Sequence, residues 1–317
     1  MIKKRGIVLL IDEIDDVWMQ LCKQAEFNVL GVHEVIMEKP NSVQKVLNRL
    51  EEKPVREQLA RFEKAGIEVE FELHAVEWLL PRSLFSAQPE LFRQNNEGER
   101  VAENNCCVSN PVSLELLSER ARVLAKLLNQ TGHNHYYWMD DAENATCRCD
   151  ECRCLSGADQ NMKMMNAIAE GLTSADKNAK AAYLAYADAL TVPNIKPHPS
   201  LFLEFAPIFR NHFEPITSGD PKNTKYRELL TALLKIFNPE NAHILEYWLD
   251  NAFFSQYKKP PVKVPFDRKV TQSDVAFYRS LGIDFITCFG SYLGDDYRIQ
   301  HGLPPISEYG EILKNQR

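Results

Sequence analysis

Carboxylates and tryptophans recur together at the ends of short apolar runs in this chain. Tyr136-Tyr137-Trp138-Met139-Asp140-Asp141 is followed by Glu204 within a run at Leu201–Pro207, and then by Glu246-Tyr247-Trp248-Leu249-Asp250. Carboxyl groups brought together from separate strands can divide acid–base work. One protonates a leaving oxygen, while the other activates water or attacks an anomeric carbon. Indole rings beside them offer apolar platforms for sugar faces. On this chemistry Asp140 or Asp141 is the expected acid, and Glu246, with Glu204 second, is the expected base or nucleophile. Trp78, Trp138 and Trp248 are the expected platforms, and Arg82 or Arg100 is available to pair with a substrate carboxylate. His74, Asp188 and Asp250 also stand at strand ends and are expected to contact substrate. Period-2 alternation puts Glu246, Trp248 and Asp250 on one face of their strand and Leu245, Tyr247 and Leu249 on the other. The apolar set is expected to meet helices, which aims the carboxylates into a barrel mouth; a register shift of one residue reverses this. A helix cap or a structural ion pair is the competing role for any one of these carboxylates.

The eight cysteines are too few for a disulfide scaffold. Cys147-Arg148-Cys149-Asp150-Glu151-Cys152-Arg153-Cys154 follows the fourth apolar run directly, and Cys106-Cys107 precede the helix that leads into it. Cys149 and Cys152 have the C-x-x-C spacing common in zinc sites. A structural zinc site built from Cys107, Cys147, Cys149 and Cys152 would pin two active-site loops and catalyse nothing itself. Disulfides in an oxidising compartment and free thiols are the alternatives. There is no G-x-S-x-G elbow, P-loop or H-E-x-x-H pattern, and no organic cofactor is expected.

The elements that must position these groups alternate along the whole chain. Expected strands are Gly6–Ile11, Phe27–Glu34, Ile67–Val76, His133–Asp140, Ala181–Ala187, Leu201–Pro207, His243–Asp250 and Ile283–Phe289. Expected helices are Glu13–Ala25, Ser42–Ala65, Ser113–Asn129, Asn161–Thr173, Lys225–Phe237 and Ser273–Leu281. Strand–helix alternation implies parallel βαβ units, and eight of them predict a single α/β domain, a (β/α)8 TIM barrel spanning the 317 residues. An open doubly wound sheet is disfavoured because Asp12-Glu13-Ile14-Asp15-Asp16, not a glycine-rich phosphate turn, follows the first strand. The longest irregular stretch, Glu77–Asn110, follows the third strand on the side where barrel enzymes keep their chemistry.

Composition narrows the partners. With 44% hydrophobic and 26% charged residues and a net charge of −7, the chain can bury a large core and lacks the basic stripe of a nucleic-acid binder. No apolar run approaches the roughly 18 residues of a membrane span. The run Gly6–Ile11 is short and ends in acid, so no targeting segment is expected. A cytoplasmic protein with a carbohydrate substrate is the expectation, or a secreted or periplasmic one if a leader has been removed. Nothing in the sequence speaks to its oligomeric state.

At these residues the chain resembles a known family. His74, Leu80-Pro81, Phe85, Pro89-Glu90-Leu91-Phe92, Gly98-Glu99-Arg100 and Cys107-Val108-Ser109-Asn110-Pro111 are similar to the signature of a large domain-of-unknown-function family of glycoside-hydrolase-like barrels. Those proteins show a His, then Leu-Pro, Pro-Glu-Tyr-Phe, Gly-x-Arg and Cys-Leu-Ser-Asn-Pro. In them the fourth strand is followed by an Asp and a Cys-x-Cys-x-x-Cys, matched by Asp140 or Asp141 and by Cys147, Cys149 and Cys152. The similarity is good over roughly residues 67–210 and loose elsewhere. It implies a (β/α)8 barrel distantly related to alpha-glucuronidases and beta-hexosaminidases. Two departures stand out: the related hydrolases place a Glu where this chain has Asp140 and Asp141, and a His-x-Gly-Gly-Asp-Glu pattern is absent. The resulting expectation is a glycoside hydrolase acting on an acidic or N-acetylated sugar. A carbohydrate-binding barrel without turnover is the alternative. A metal-dependent hydrolase fits poorly, because an ion saturated by thiolates keeps no open position for water.

Overall fold

The computed structural model describes residues 1–35 and 41–315. Eight parallel strands close into a barrel in chain order. They are β1 (Lys4–Leu10), β2 (Val29–His33), β3 (Glu68–His74), β4 (Asn134–Trp138), β5 (Lys180–Ala185), β6 (Leu201–Phe205), β7 (His243–Glu246) and β8 (Phe285–Phe289). The helices of the first half are α1 (Asp16–Ala25), α2 (Ser42–Glu51), α3 (Lys53–Lys64), α4 (Val76–Leu79), α5 (Pro111–Leu128) and α6 (Gly157–Ala175). Those of the second half are α7 (Pro221–Leu233), α8 (Asn251–Phe254), α9 (Arg268–Ser280), α10 (Asp295–His301) and α11 (Ile306–Lys314). Strands in such a barrel are buried on both faces, which is why β2 and β8, buried at every position, read as unbroken apolar runs. Among the described residues no helix is long and apolar enough to cross a membrane.

Several helices begin earlier than apolar periodicity suggests, because caps set their starts. Ser156 accepts from the amide of Asp159 ahead of α6, Asp220 from Lys222 and Asn223 ahead of α7, and Asp267 from Lys269 and Val270 ahead of α9. The first turns that follow are too polar to register in the pattern. The expected helix Ser42–Ala65 is two helices, broken at the extended Glu52. Pro54 has no amide to give the Leu50 carbonyl and its ring would clash there. The Arg56 guanidinium donates to that carbonyl instead, at 3.0 Å.

Chain contacts cluster into two compact units. The first comprises Met1–Ile36, Arg49–Glu70 and Phe205–Arg317. Its strands carry a partly exposed polar layer around the buried Glu70: Lys4 Nζ lies 2.8 Å from Glu68 and 3.5 Å from Glu70, and 5.1 Å from the Phe285 ring centroid. His243 stacks on Phe285 at 3.9 Å and pairs with the Thr287 hydroxyl at 2.7 Å. Burial pushes its pKa down to about 3, so the ring is neutral.

The second unit comprises Met37–Asn48 and Phe71–Glu204. Here α5 and α6 pack at a close approach that only glycine permits: a Cβ on Gly171 would lie 2.0 Å from the Ser118 carbonyl oxygen. Alanine in a helix interior ordinarily gains up to about 1 kcal/mol over glycine. Gly171→Ala is expected to reverse that sign and lose about 1–3 kcal/mol by overpacking. Urea unfolding of the variant checks it, and a gain in stability would contradict the close approach.

Candidate active site

A cleft of about 480 Å³ opens in the second unit, where β3 and β4 end. His74, Glu77, Arg82, Glu103, Asp140 and Asp141 supply its charged and titratable lining. Asp140, directly beyond β4, organises it. Its Oδ1 accepts from the Glu77 amide at 2.8 Å, and its Oδ2 from Arg82 Nη2 at 2.6 Å and from the Asn105 amide at 2.7 Å. The Asp140 amide returns a bond to Asn105 Oδ1 at 2.9 Å, and Arg82 also donates to the Asn105 carbonyl. Asp140 is thus a buried, paired carboxylate whose acceptor positions serve the chain. Arg82 is committed to it and not to an incoming carboxylate.

Asp141, the next residue, is exposed and accepts from the Tyr186 hydroxyl at 2.8 Å. Beside it stands His74, the register partner of Trp138. His74 Nδ1 lies 2.6 Å from the Met139 carbonyl. A ring nitrogen facing a carbonyl carries a proton, so Nδ1 is the donor of this bond. The His74 ring meets Trp138 edge-on at 5.1 Å and Tyr186 at 6.2 Å. Below them Glu204 is fully buried and accepts from Trp138 Nε1 at 2.7 Å. Alternation along β6 places Phe205 against Tyr226 of α7 and Glu204 on the opposite, interior face. Burial pushes the Glu204 pKa up to about 8, against the opposing pull of the Trp138 bond and of charge on His74. Asp141 and Glu204 thus sit in contrasting environments, one exposed and one dry.

The cysteines form the second feature of this unit. Cys107, Cys147, Cys149 and Cys152 are all buried, with sulfurs within 4.8 Å of one another and none joined in a disulfide. The Cys107 sulfur is 3.7 Å from that of Cys149 and 4.0 Å from that of Cys152. A tetrahedral ion with bonds of about 2.3 Å spaces its sulfurs about 3.8 Å apart. The four thiols therefore have the spacing of a metal site. Donors surround them: the Gln94 amide reaches Cys147 Sγ at 3.4 Å, Arg100 reaches it at 3.8 Å, and the Ser109 hydroxyl lies 3.2 Å from Cys107. Hydrogen bonds from Cys147 and Cys152 hold the Cys107 thiol well below its ordinary pKa, and sharing with Cys107 pushes both partners up. Gln160 of α6 pins the loop, bonding the Cys147 amide and the carbonyls of Cys147 and Cys152. Cys106 and Cys154 lie outside the set.

Other residues singled out in the sequence stand elsewhere. Arg100 serves the sulfur cluster and the Phe92 carbonyl. Asp188 accepts from the amides of Asn144 and Ala145, fixing the approach to Cys147. Trp78 lies under the Arg120 guanidinium of α5, 4.2 Å from its ring, and donates to Gln44. Trp138, 2% exposed, is a support for Glu204 and presents no open face.

In the first unit, Glu246 and Trp248 face α9 and not the strand-end mouth, which corrects the expected orientation. Glu246 and Asp274 flank Arg210, at 3.3 Å and 2.5 Å. Tyr278 donates to Glu246, and Trp248 Nε1 to Asp274 at 3.0 Å. Arg210 and α9 supply the partners that let Glu246 and Trp248 take the helix-facing side, and β7 ends at Glu246, so strand alternation does not extend to Asp250. Asp250 caps α8 and accepts from Ser291, and burial pushes its pKa up to about 6. Glu13 escaped notice in the sequence: it accepts from the Tyr292 amide, and burial pushes its pKa up to about 7. Its position directly after the first strand was the available signal. Glu103 sits in an irregular loop and gave none.

A family model described as a domain of unknown function, DUF4838, matches residues 41–287. The chain belongs to this family. No curated protein sequence matches it. Solved structures that are similar include a family 5 glycoside hydrolase from Prevotella bryantii B14 in complex with a xyloglucan tetradecasaccharide. That match has a TM-score of 0.54 at 15% identity, over 95% of this chain and 87% of the other. A family 5 lichenase from Caldicellulosiruptor sp. F32, in complex with cellotetraose, gives 0.51 at 11% identity, over 98% and 93%. What these proteins share with this DUF4838 chain is the barrel.

Two outcomes follow from the buried carboxyls. Folded Glu204 keeps its proton up to about pH 8, whereas its ordinary value is 4.5. The folded state therefore binds more protons between those values, and stability falls as pH rises through that window. Glu204→Gln, which keeps an acceptor for Trp138, is expected to flatten this fall, read from urea midpoints at about pH 5 and about pH 8.5. An unchanged slope would remove Glu204 as its source. Glu246→Gln leaves Arg210 short of one charge and is expected to cost about 3 kcal/mol; a loss under about 1 kcal/mol would show that the ion pair is not structural.

Proposed function

We propose that this barrel is a glycoside hydrolase acting on a glycan or oligosaccharide, with Asp141 as the carboxyl that works at the glycosidic oxygen. One observation carries the reading: at the head of β4 the chain offers two adjacent carboxyls, and only Asp141 is exposed to the cleft while Asp140 is held by three donors. Tyr186 orients Asp141, and His74 stands beside it with Nδ1 donating to the Met139 carbonyl. Glu204 is a positioning residue, supporting the indole of Trp138 behind His74. Of the two sugar classes expected, the lining favours the N-acetylated one. Glu77, Glu103, Asp140 and Asp141 against a single, already paired Arg82 would repel an anionic sugar.

A second reading has its own support. Asp140 and Glu246, both expected to do acid–base chemistry, are held in ion pairs, and a barrel with one working carboxyl would bind sugar without cleaving it. Aryl N-acetylhexosaminides and glucuronides offered to wild type and to Asp141→Asn separate the two. The hydrolase reading expects turnover on an N-acetylhexosaminide that falls by about 10² or more in the variant, as for loss of a general acid–base group. Sugar binding with no turnover on any substrate would establish the binding barrel.

We also propose zinc as the ion of the four-cysteine cluster, in a closed structural role. Four thiolates saturate a tetrahedral ion and leave no position for substrate or water. Protein purified under reducing conditions is expected to hold about one equivalent, and under about 0.2 equivalents would exclude it, since such sites are tight.

A further inference from the structure

We infer that the ion in the Cys107–Cys147–Cys149–Cys152 site sets the shape of the cleft, holding both of its walls through the chain while touching no ligand. The inference rests on the zinc reading and is independent of the hydrolase one.

One wall is the segment of Ala102, Glu103 and Asn104, which lines the cleft and runs within three residues into Cys107. The other is Asp140 and Asp141, continuing through Ala145 into Cys147. The walls come from loops distant in sequence: Cys107 and Cys149, whose sulfurs are 3.7 Å apart, are separated by 42 positions. Closing so long a loop carries an entropic cost that an ion with ligands from both sides offsets. Besides the sulfurs, polar bonds join the walls. Asn105 gives its amide to Asp140 and its side-chain Nδ2 to the Ala145 carbonyl at 3.2 Å. A third segment, the turn around the Gln94–Arg100 bridge, is tied to the same site by the Gln94 amide on Cys147 Sγ and the Arg148 amide on the Gln94 carbonyl at 2.9 Å. These loops lie beyond β3 and β4, whereas α5 and α6 pack directly on one another, with Gly171 against Ser118. Loss of the ion should therefore loosen the walls and leave the helices and strands in place.

Asn105 is the residue that couples the two walls. It holds a left-handed backbone angle, φ 47°, which glycine also adopts freely. Asn105→Gly keeps the turn and its own amide on Asp140, removes the side-chain bonds to the Ala145 carbonyl and from the Asp140 amide, and replaces no sulfur ligand.

Hydrogen exchange by mass spectrometry, on the zinc-loaded chain and on the chain stripped by chelator under reductant, tests the inference with no sugar present. Segments containing Asn105, Ala145, Cys147 and Arg148 are expected to exchange at least about ten-fold faster without metal, with β7 and β8 unchanged and protection restored by added zinc. Asn105→Gly is expected to keep its zinc and still exchange faster across residues 140–145, where the Asp140 amide loses its acceptor. Unchanged exchange in both walls on stripping would overturn the inference, as would acceleration across the whole chain, which would make the ion a support of the fold at large. Zinc-loaded Asn105→Gly as protected across residues 140–145 as wild type would remove Asn105 as the coupling. A chain that never binds zinc would sink the zinc reading itself, and absence of glycosidase activity would leave the inference standing.

Discussion

Three segments of chain meet on the carboxylate of Asp140. The turn after β3 gives it the Glu77 amide, Arg82 reaches it from the following turn, and the loop ahead of α5 gives it the Asn105 amide. Each of these segments is a single helical turn or an irregular loop, too short to be held in place by its own hydrogen bonds alone. A buried carboxylate without partners is costly, so the segments that satisfy it are held as firmly as it needs them. Those three segments share one anchor in the lining of the cleft, beside His74 and Asp141.

The first unit handles its buried charge differently. Arg210 is enclosed by Glu246 and Asp274 with no exposure of the side chains, and Tyr278 and Trp248 complete the set. Desolvating three charges contributes little net stability even when the geometry is good. What the arrangement does provide is definition: Arg210 comes from the loop after β6, and its two carboxylates fix that loop against α9. In both units loops beyond the strands are tied by charge.

Strands and loops differ in how far the sequence disclosed them. Parallel strands buried on both faces leave unbroken apolar runs, so eight strands and a closed barrel were legible. The cysteines were legible because metal-ligand spacing is a local property, and Cys147, Cys149 and Cys152 are neighbours. The facing of Glu246 and Trp248 was not, because it depends on Arg210, 36 positions away, and on α9. Trp78 was misleading for the same reason: the Arg120 guanidinium that covers it belongs to another helix. The division between Asp140 and Asp141 also lay beyond reading, since both are the same residue type and only their partners differ.

That division has a consequence for how such a barrel can change over time. The residue that holds the walls and the residue that meets the cleft are adjacent but separate. A substitution at Asp141 changes the exposed carboxyl of the cleft without releasing Glu77, Arg82 or Asn105 from their anchor. Descendants of this chain can therefore change what the cleft does while inheriting the same walls, and a lineage that lost a function there would keep the architecture from which it could be regained.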